Sequence, residues 1–144
     1  MSRIKNMDEK IEKLVKGVKV SFIGSVDGDG FPNMKAMLAP RKREGIREFW
    51  FSTNTSSERV AQYRKNPKAC VYFYEKGRFN YQGVQFLGEM EVLTDAASKE
   101  MIWEFGDTMY YRKGVTDPDY CVLKFTAKRG RYYSNFKTES FEVG

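Results

Sequence analysis

The sequence predicts a mainly β fold, a small barrel of about six to seven mostly antiparallel strands with peripheral helices. Aromatic residues make up 15% of the 144 residues, and aromatic side chains favour pleated sheets. Short apolar runs alternate along the chain with turn segments such as DGDGFP at 27–32. No repeat, linker or low-complexity segment interrupts this pattern, so we expect residues 1–144 to form a single domain.

The strands follow from alternating or dense apolar segments. The first two flank the 27–32 turn as a hairpin, and the third ends in a cluster of hydroxyl and amide side chains. Gly83 and Gly88 fall inside the longest segment, where glycines indicate a bulge or a close approach. The predicted strands are 18–27, 33–39, 46–52, 69–74, 79–93, 120–126 and 131–136.

Three segments have helical patterns. Apolar residues at helical spacing predict a helix over 7–16 that stops at Gly17. A second helix is predicted over 57–65, ending at Asn66-Pro67, and a third over 96–105 with Asp95 as its N-cap. We expect the remaining long segments, 40–45 and 110–118, to be connections, with Tyr110, Tyr111 and Trp103 placed to cover a ligand.

The composition restricts the chemistry. The chain contains no histidine, which excludes a zinc hydrolase and a histidine-based catalytic triad. Cys70 and Cys121 lie in apolar segments without a CxxC spacing, as expected for reduced thiols in a cytoplasmic protein. No leader or membrane segment is apparent, so no membrane partner is expected. The net charge of +6 fits an anionic ligand, a nucleic acid or simple solubility.

The segment 49–67 predicts an anion site. An aromatic strand, a hydroxyl-rich turn and a helix N-terminus follow one another, and the first helical N–H groups lack intrahelical partners. The alternative is that Ser56 or Ser57 simply caps the helix. Glu58 in the first turn opposes an anion. The candidate phosphate ligands are Thr53, Thr55, Ser56, Ser57 and Arg59.

Three other segments have both a functional and a plain interpretation. Lys35 shares a strand face with Met37, opposite Leu38, and is either a phosphate ligand or a surface lysine. The amide of Gln82 beside Gly83 either meets a heteroaromatic ring or faces solvent. The basic and aromatic segment 129–136 suits either nucleic-acid stacking or a terminal strand, and the second interpretation is favoured because basic residues are spread over the whole chain.

Four motifs together resemble a known family. They are GFPNMKAMLAP at 30–40, FWFSTNTSSERVAQYRKNP at 49–67, CVYFY at 70–74 and YQGVQFLGEMEVL at 81–93. Over about residues 8–136 the chain resembles the pyridoxamine 5′-phosphate oxidase-like superfamily of FMN-binding split β-barrels, and most closely its general-stress-protein-like branch.

The resemblance implies an FMN site at the interface of a homodimer. Lys35, Ser57 and Arg59 match phosphate ligands of the family, with Ser56 beside them. Met37 and Leu38 match backbone positions at the isoalloxazine ring, whereas Ser52 and Thr53 match the end of the strand beside the ring or ribityl chain. The stretch 81–83 matches a glutamine that contacts the flavin, which implies Gln82 and Gly83.

Two departures separate the chain from the oxidases of that superfamily. Glu58 stands where they carry a second basic residue, and the segment Arg131–Phe136 does not match their substrate-binding C-terminus. The resemblance therefore implies an FMN-dependent oxidoreductase that passes hydride between NAD(P)H or a small substrate and an acceptor. The alternatives are a non-catalytic flavin-binding stress protein, a relative that holds a deazaflavin or haem, and a small nucleic-acid-binding barrel.

Overall fold

A computed structural model describes residues 2–144, with side chains from residue 7 onward. The helices are α1 (Ser2–Gly17), α2 (Glu58–Lys65) and α3 (Ala96–Ile102), and two 3-10 turns lie at Asp107–Met109 and Gly114–Thr116. The strands are β1 (Val20–Val26), β2 (Pro32–Leu38), β3 (Lys42–Glu44), β4 (Glu48–Asn54), β5 (Lys68–Lys76), β6 (Tyr81–Leu93), β7 (Tyr120–Ser134) and β8 (Lys137–Glu142).

The eight strands form one sheet whose order is β2-β1-β5-β6-β7-β4-β3, with β8 paired to β7. All pairings are antiparallel. β7 pairs with β6 along most of its length, with β4 over its first half and with β8 over its second half. A shift in register between Leu87 and Gly88 lets the two long central strands bend.

The main core packs between the strands of this sheet and the helices α1 and α2. Its centre is a cluster of phenylalanine rings, in which Phe49 lies 5.4 Å from Phe73 and 5.3 Å from Phe86, measured between ring centroids. Ile11 and Leu14 of α1 close one side, and both are almost fully buried. A second, smaller cluster of Trp50, Ile102, Tyr111, Tyr120 and Val122 packs under α3 and the 3-10 turns.

α2 is fastened to β1. The hydroxyl group of Tyr63 donates to the carbonyl of Gly24 at 2.8 Å, and the hydroxyl group of Ser25 donates to Oε1 of Gln62. Burial raises the pKa of Tyr63 above its ordinary value, so this hydroxyl stays a donor. These two hydrogen bonds hold the C-terminal half of α2 at a fixed place beside β1.

The predicted mainly β fold with peripheral helices is confirmed, with four corrections. The predicted connection 40–45 contains strand β3, and the third predicted helix ends at Ile102 instead of 105. The two predicted final strands are one strand, β7, because Gly130 continues the sheet beside Gln85 and Phe141. The last strand, β8, was not predicted, so the sheet has eight strands rather than six or seven. Within residues 2–144 no helix is long and apolar enough to cross a membrane.

Candidate functional site

The hydroxyl-rich turn between β4 and α2 forms as the sequence predicts. Ser57 is the N-cap of α2, and its side-chain oxygen accepts from the N–H of Val60 at 3.4 Å. The backbone of Asn66 ends the helix by donating to the carbonyl of Gln62 at 2.8 Å. The plain interpretation of Ser57 as a helix cap is thus observed, and it uses one of the N–H groups that an anion would otherwise meet.

Asp119 occupies much of the rest of this turn. Its carbonyl accepts from the N–H of Thr55 at 2.7 Å, and its Oδ1 accepts from the N–H of Ser56 at 2.9 Å. The hydroxyl group of Ser56 also accepts from Nδ2 of Asn54 at 3.1 Å. A carboxylate and a cap therefore already satisfy these donors, so the turn itself is a weaker anion site than the sequence predicts.

The neighbouring cavity brings together half of the predicted residues. It has a volume of about 220 Å³ and lies between the end of β2, the end of β4, the first turn of α2 and residues 110–111, which follow the first 3-10 turn. Its lining consists of Ala36, Met37, Leu38, Ala39, Arg41, Phe51, Ser52, Thr53, Asn54, Arg59, Tyr110 and Tyr111. Five predicted site residues, Met37, Leu38, Ser52, Thr53 and Arg59, are among them.

Arg59 supplies a positive charge with unused donors in this cavity. Its Nη2 donates to Oγ1 of Thr53 at 3.1 Å, and Thr53 is only 4% exposed. Nε of Arg59 is buried and has no hydrogen-bond partner among the residues that the structure describes. A buried guanidinium N–H without a partner is costly unless a ligand accepts from it. The guanidinium of Arg59 is therefore suited to an anionic oxygen.

Arg41 is the second cation of the lining, and protein carboxylates already match its charge. Its Nη1 and Nη2 donate to the two oxygens of Asp107 at 2.8 and 2.9 Å, and Nη1 also donates to the carbonyl of Ile102. Glu104 lies 3.6 Å from its Nε. The hydrogen bonds from Arg41 lower the pKa of Asp107, so this carboxylate is ionised at neutral pH.

This ion pair fixes an aromatic wall beside the cavity. Asp107 also accepts from the N–H of Glu104 at 2.9 Å, and it begins the 3-10 turn that leads into Tyr110 and Tyr111. Tyr111 packs on Tyr120, with 4.9 Å between the ring centroids. Tyr120 donates to the carbonyl of Lys99 at 2.7 Å, and burial raises its pKa to about 12. Tyr110 remains 68% exposed at the cavity.

The other predicted residues lie outside this lining. Lys35 is exposed on β2 opposite Ile23, on the strand face that also carries Met37, and Ser56 and Ser57 lie in the turn described above. Oε1 of Gln82 accepts from the hydroxyl group of Tyr132 at 2.6 Å, and Gln82 faces a separate cavity beside α1. The open side of Gly83 is filled by the Tyr72 hydroxyl of the same chain.

The sequence interpretation missed Arg41 and Asn54 and expected a different role for Trp103. Arg41 lies in a charged segment with no distinctive motif, and Asp107, its partner, is 66 residues further along the chain. Trp103 lies behind the wall, against Tyr111 and Tyr120, and is absent from the lining. No group of three or more His, Cys, Asp or Glu side chains in the described part of the chain could hold a metal ion.

Comparisons with known proteins identify the family of the chain. A family model described as pyridoxamine 5′-phosphate oxidase matches residues 7–134. Among solved structures, a protein from Clostridium acetobutylicum related to general stress protein 26 of B. subtilis, of the pyridoxinephosphate oxidase family, is 39% identical, with 96% of each chain covered and a TM-score of 0.86. No curated protein matches the chain.

More distant structures share the fold alone. General stress protein 26 from Bacillus anthracis is 17% identical, with 96% of this chain and 99% of that chain covered and a TM-score of 0.76. A heme binding protein from Mycobacterium smegmatis is 14% identical, with 94% and 57% covered and a TM-score of 0.73. The family match over residues 7–134 and the 39% identity confirm the resemblance drawn from the motifs, and the chain belongs to the pyridoxamine 5′-phosphate oxidase family.

Proposed function

We propose that the protein binds FMN and works as an oxidoreductase that passes hydride between NAD(P)H or a small substrate and an acceptor. The observation that carries this proposal is the guanidinium of Arg59, which lies in the cavity beside Thr53 with a buried N–H left without a partner. Such a group fits a phosphate, which accepts several charge-assisted hydrogen bonds at once. Membership of the family supports FMN as the molecule that carries the phosphate.

Each part of the cavity has a distinct task in this proposal. Arg59 and the hydroxyl group of Thr53 bind the phosphate, and Lys35 adds positive charge from the neighbouring strand. Ser57 supports them by holding the first turn of α2 in place. Ser52 and the backbone of Met37 and Leu38 border the ring and ribityl chain. Asp119 and Glu58 weaken the grip on the phosphate, because both place negative charge near the same turn.

When bound, FMN supplies a reducible ring that accepts and releases hydride. The protein residues around it then need only bind, orient and exclude water. No proton has to be moved by histidine, so the absence of that residue from the chain is compatible with an enzyme. Tyr110 and Tyr111 exclude water from one side of the cavity. Ordered backbone around Ala36–Ala39 gives the ring a fixed neighbour.

A second copy of the chain completes the site in this proposal. β2 is an edge strand, and one face of β1 and β2 leaves large apolar side chains exposed: Val20 at 44%, Met34 at 69% and Leu38 at 63%. A groove of about 480 Å³ beside Met34, Cys70 and Leu87 continues this face. Exposed apolar surface of this kind favours association. Leu38 also lines the cavity, so the interface and the FMN site adjoin each other.

Gln82 and Gly83 belong to this part of the proposal. Within one copy, neither lines the Arg59 cavity. They contact FMN only if they are contributed by the partner subunit, as the interfacial site of the family implies. The substitution Met34→Lys tests the dimer, because a charge on the apolar face opposes its burial. We expect dissociation into monomers in sedimentation velocity experiments, together with weaker FMN binding.

The absorbance spectrum of the purified protein tests the cofactor. Flavin bands support the proposal. A Soret band would indicate haem in place of FMN. A colourless protein that takes up neither cofactor would overturn the flavin assignment. Anaerobic addition of NADH or NADPH then separates an enzyme from a flavin-binding stress protein. Bleaching of the flavin bands identifies an oxidoreductase. Bands that persist with every reductant would indicate a protein that only binds flavin.

A further inference from the structure

The cavity carries more aromatic surface than an anion site requires. Tyr110 stands at its edge with 68% of its surface exposed, while Tyr111 behind it is only 8% exposed. The two rings are tilted by 59° with centroids 6.5 Å apart, so Tyr110 is not stacked flat on its neighbour. An exposed tyrosine ring at the rim of a cavity offers a large, rigid apolar contact at a small cost in conformational entropy.

The position of Tyr110 is fixed by the rest of the segment. The N–H of Tyr110 donates to the carbonyl of Asp107 at 2.9 Å, and the N–H of Tyr111 donates to the same carbonyl at 2.9 Å. The side chain of Asp107 is in turn held by both terminal nitrogens of Arg41. The backbone of Asp107 thus holds Tyr110 and Tyr111, and its side chain holds Arg41, which also lines the cavity. Tyr110 therefore has a fixed position before any ligand binds.

The charges of the lining decide what kind of molecule can meet this ring. Among the described residues that line the cavity, Arg41 and Arg59 alone carry a charge. Arg41 is matched by Asp107 and Glu104. If the proposed function is right, the phosphate of FMN matches the charge of Arg59. A second anion entering the cavity would then meet no unmatched cation in its lining.

We infer that the second ligand of this cavity is an uncharged, planar ring compound that packs against Tyr110. This inference rests on the proposed function, because it assumes that FMN occupies Arg59. Tyr110 is then a specificity-determining residue. A phosphorylated substrate is excluded if its phosphate needs a positively charged partner from this chain. Because Asp107 and Glu104 already match Arg41, the lining offers a second anion no free positive charge, although the whole protein carries a net charge of +6 that attracts anions.

Two unreactive probes with the same ring system test the inference on the FMN-loaded protein. 2-Naphthol is uncharged at neutral pH, and naphthalene-2-sulfonate is an anion. Flavin absorbance is first measured in every sample to establish that FMN is bound, so a failure of the proposed function is recognised separately. Calorimetric titration of each probe then gives its affinity. We expect 2-naphthol to bind about tenfold or more tightly than the sulfonate.

Substitutions at Tyr110 test whether 2-naphthol binds against the aromatic wall. Tyr110→Ala should weaken 2-naphthol about tenfold in samples whose flavin absorbance shows the same FMN loading as the wild type, and Tyr110→Phe should retain the affinity because the ring remains. Phe105→Ala is the matched control, since Phe105 is fully exposed on the same segment and does not line the cavity. Equal or tighter binding of the sulfonate to FMN-loaded protein, or unchanged 2-naphthol affinity in Tyr110→Ala, would overturn the inference.

Discussion

Arg59 donates from Nη2 to Oγ1 of Thr53 at 3.1 Å and so joins the first turn of α2 to the end of β4. The same guanidinium keeps a buried Nε without a partner in the described structure. The contact orients the arginine toward the cavity from a residue that is almost completely buried. Two neighbouring elements therefore fix one charged group before any ligand arrives, which lowers the entropy cost of binding.

Arg59→Ala should weaken FMN binding strongly. A hydrogen bond to a charged group contributes about 1.5–3 kcal/mol, which corresponds to a loss of roughly 10- to 100-fold in affinity. Quenching of FMN fluorescence on binding measures this change. Arg64→Ala is the control, because Arg64 is exposed in the last turn of the same helix. If both variants bind FMN equally well, Arg59 is not the phosphate ligand.

Ser57→Asp separates the two interpretations of the N-cap. Aspartate is as good a cap as serine, so the free energy of unfolding should change by less than about 0.5 kcal/mol. A carboxylate at this position repels a phosphate nearby, and FMN affinity should fall about tenfold. Ser57→Asn is the uncharged control, which keeps the cap and should keep the affinity. Unchanged FMN binding in Ser57→Asp would leave Ser57 with a structural role alone.

The pH dependence of stability should reveal the Arg41–Asp107 pair. The pKa of Asp107 is lowered from its ordinary value of 3.8, first by the hydrogen bonds from Arg41. Because the folded pKa lies below the unfolded one, the stabilisation is present above the unfolded pKa and is lost as the pH falls through the folded value. We expect Asp107→Asn to cost about 3 kcal/mol at pH 7, since it leaves Arg41 without its buried partner.

Urea unfolding of the wild type and Asp107→Asn at neutral pH and in acid measures this contribution. The difference between the two proteins should shrink as the pH falls below 3.8, the ordinary pKa of this carboxyl group, and the native carboxyl group takes up a proton. Asp29→Asn, at an exposed turn residue, should leave stability unchanged at both pH values. A difference that is the same size in acid would show that the pair acts by shape and not by charge.

The parts of the structure that the sequence predicts are those set by local patterns. Ser57 and Asn66-Pro67 bound α2 because a cap and a proline act on their immediate neighbours. The ion pair between Arg41 and Asp107 could not be predicted, because the two residues are 66 positions apart and neither lies in a distinctive sequence motif. The place of Asn54 in the lining likewise depends on which strands become neighbours, and no local pattern determines this, whereas Tyr110 and Tyr111 were expected to cover a ligand and do line the cavity.

One error of the sequence interpretation lies around Gly130. Residues 127–130 were predicted to separate two strands, yet β7 continues through them from Tyr120 to Ser134. A side chain at Gly130 would meet the ring of Phe141 at 2.5 Å and the carbonyl of Gln85 at 2.8 Å. The residue therefore marks a close approach of β8 and β6 to β7, and that approach is visible only after the three strands are paired.

A close approach of the same kind at Gly88 leads to a prediction about the bend in the sheet. A Cβ atom at this position would collide with the carbonyl oxygen of Thr126 and lie 3.0 Å from Cα of Ala127. These are backbone atoms at the shift in register between β6 and β7, so they can yield only if the pairing changes. We therefore expect Gly88→Ala to lower the free energy of unfolding by about 3 kcal/mol.

Gly28→Ala is the matched control for Gly88→Ala in urea unfolding. No atom lies within 4 Å of the Cβ that it would introduce, and Gly28 does not have a positive φ. It should be neutral or stabilise the protein by about 0.5 kcal/mol, through the unfolded chain. Equal stability of the two variants would mean that the shift in register tolerates a methyl group, and the bend of the central strands would then not depend on Gly88.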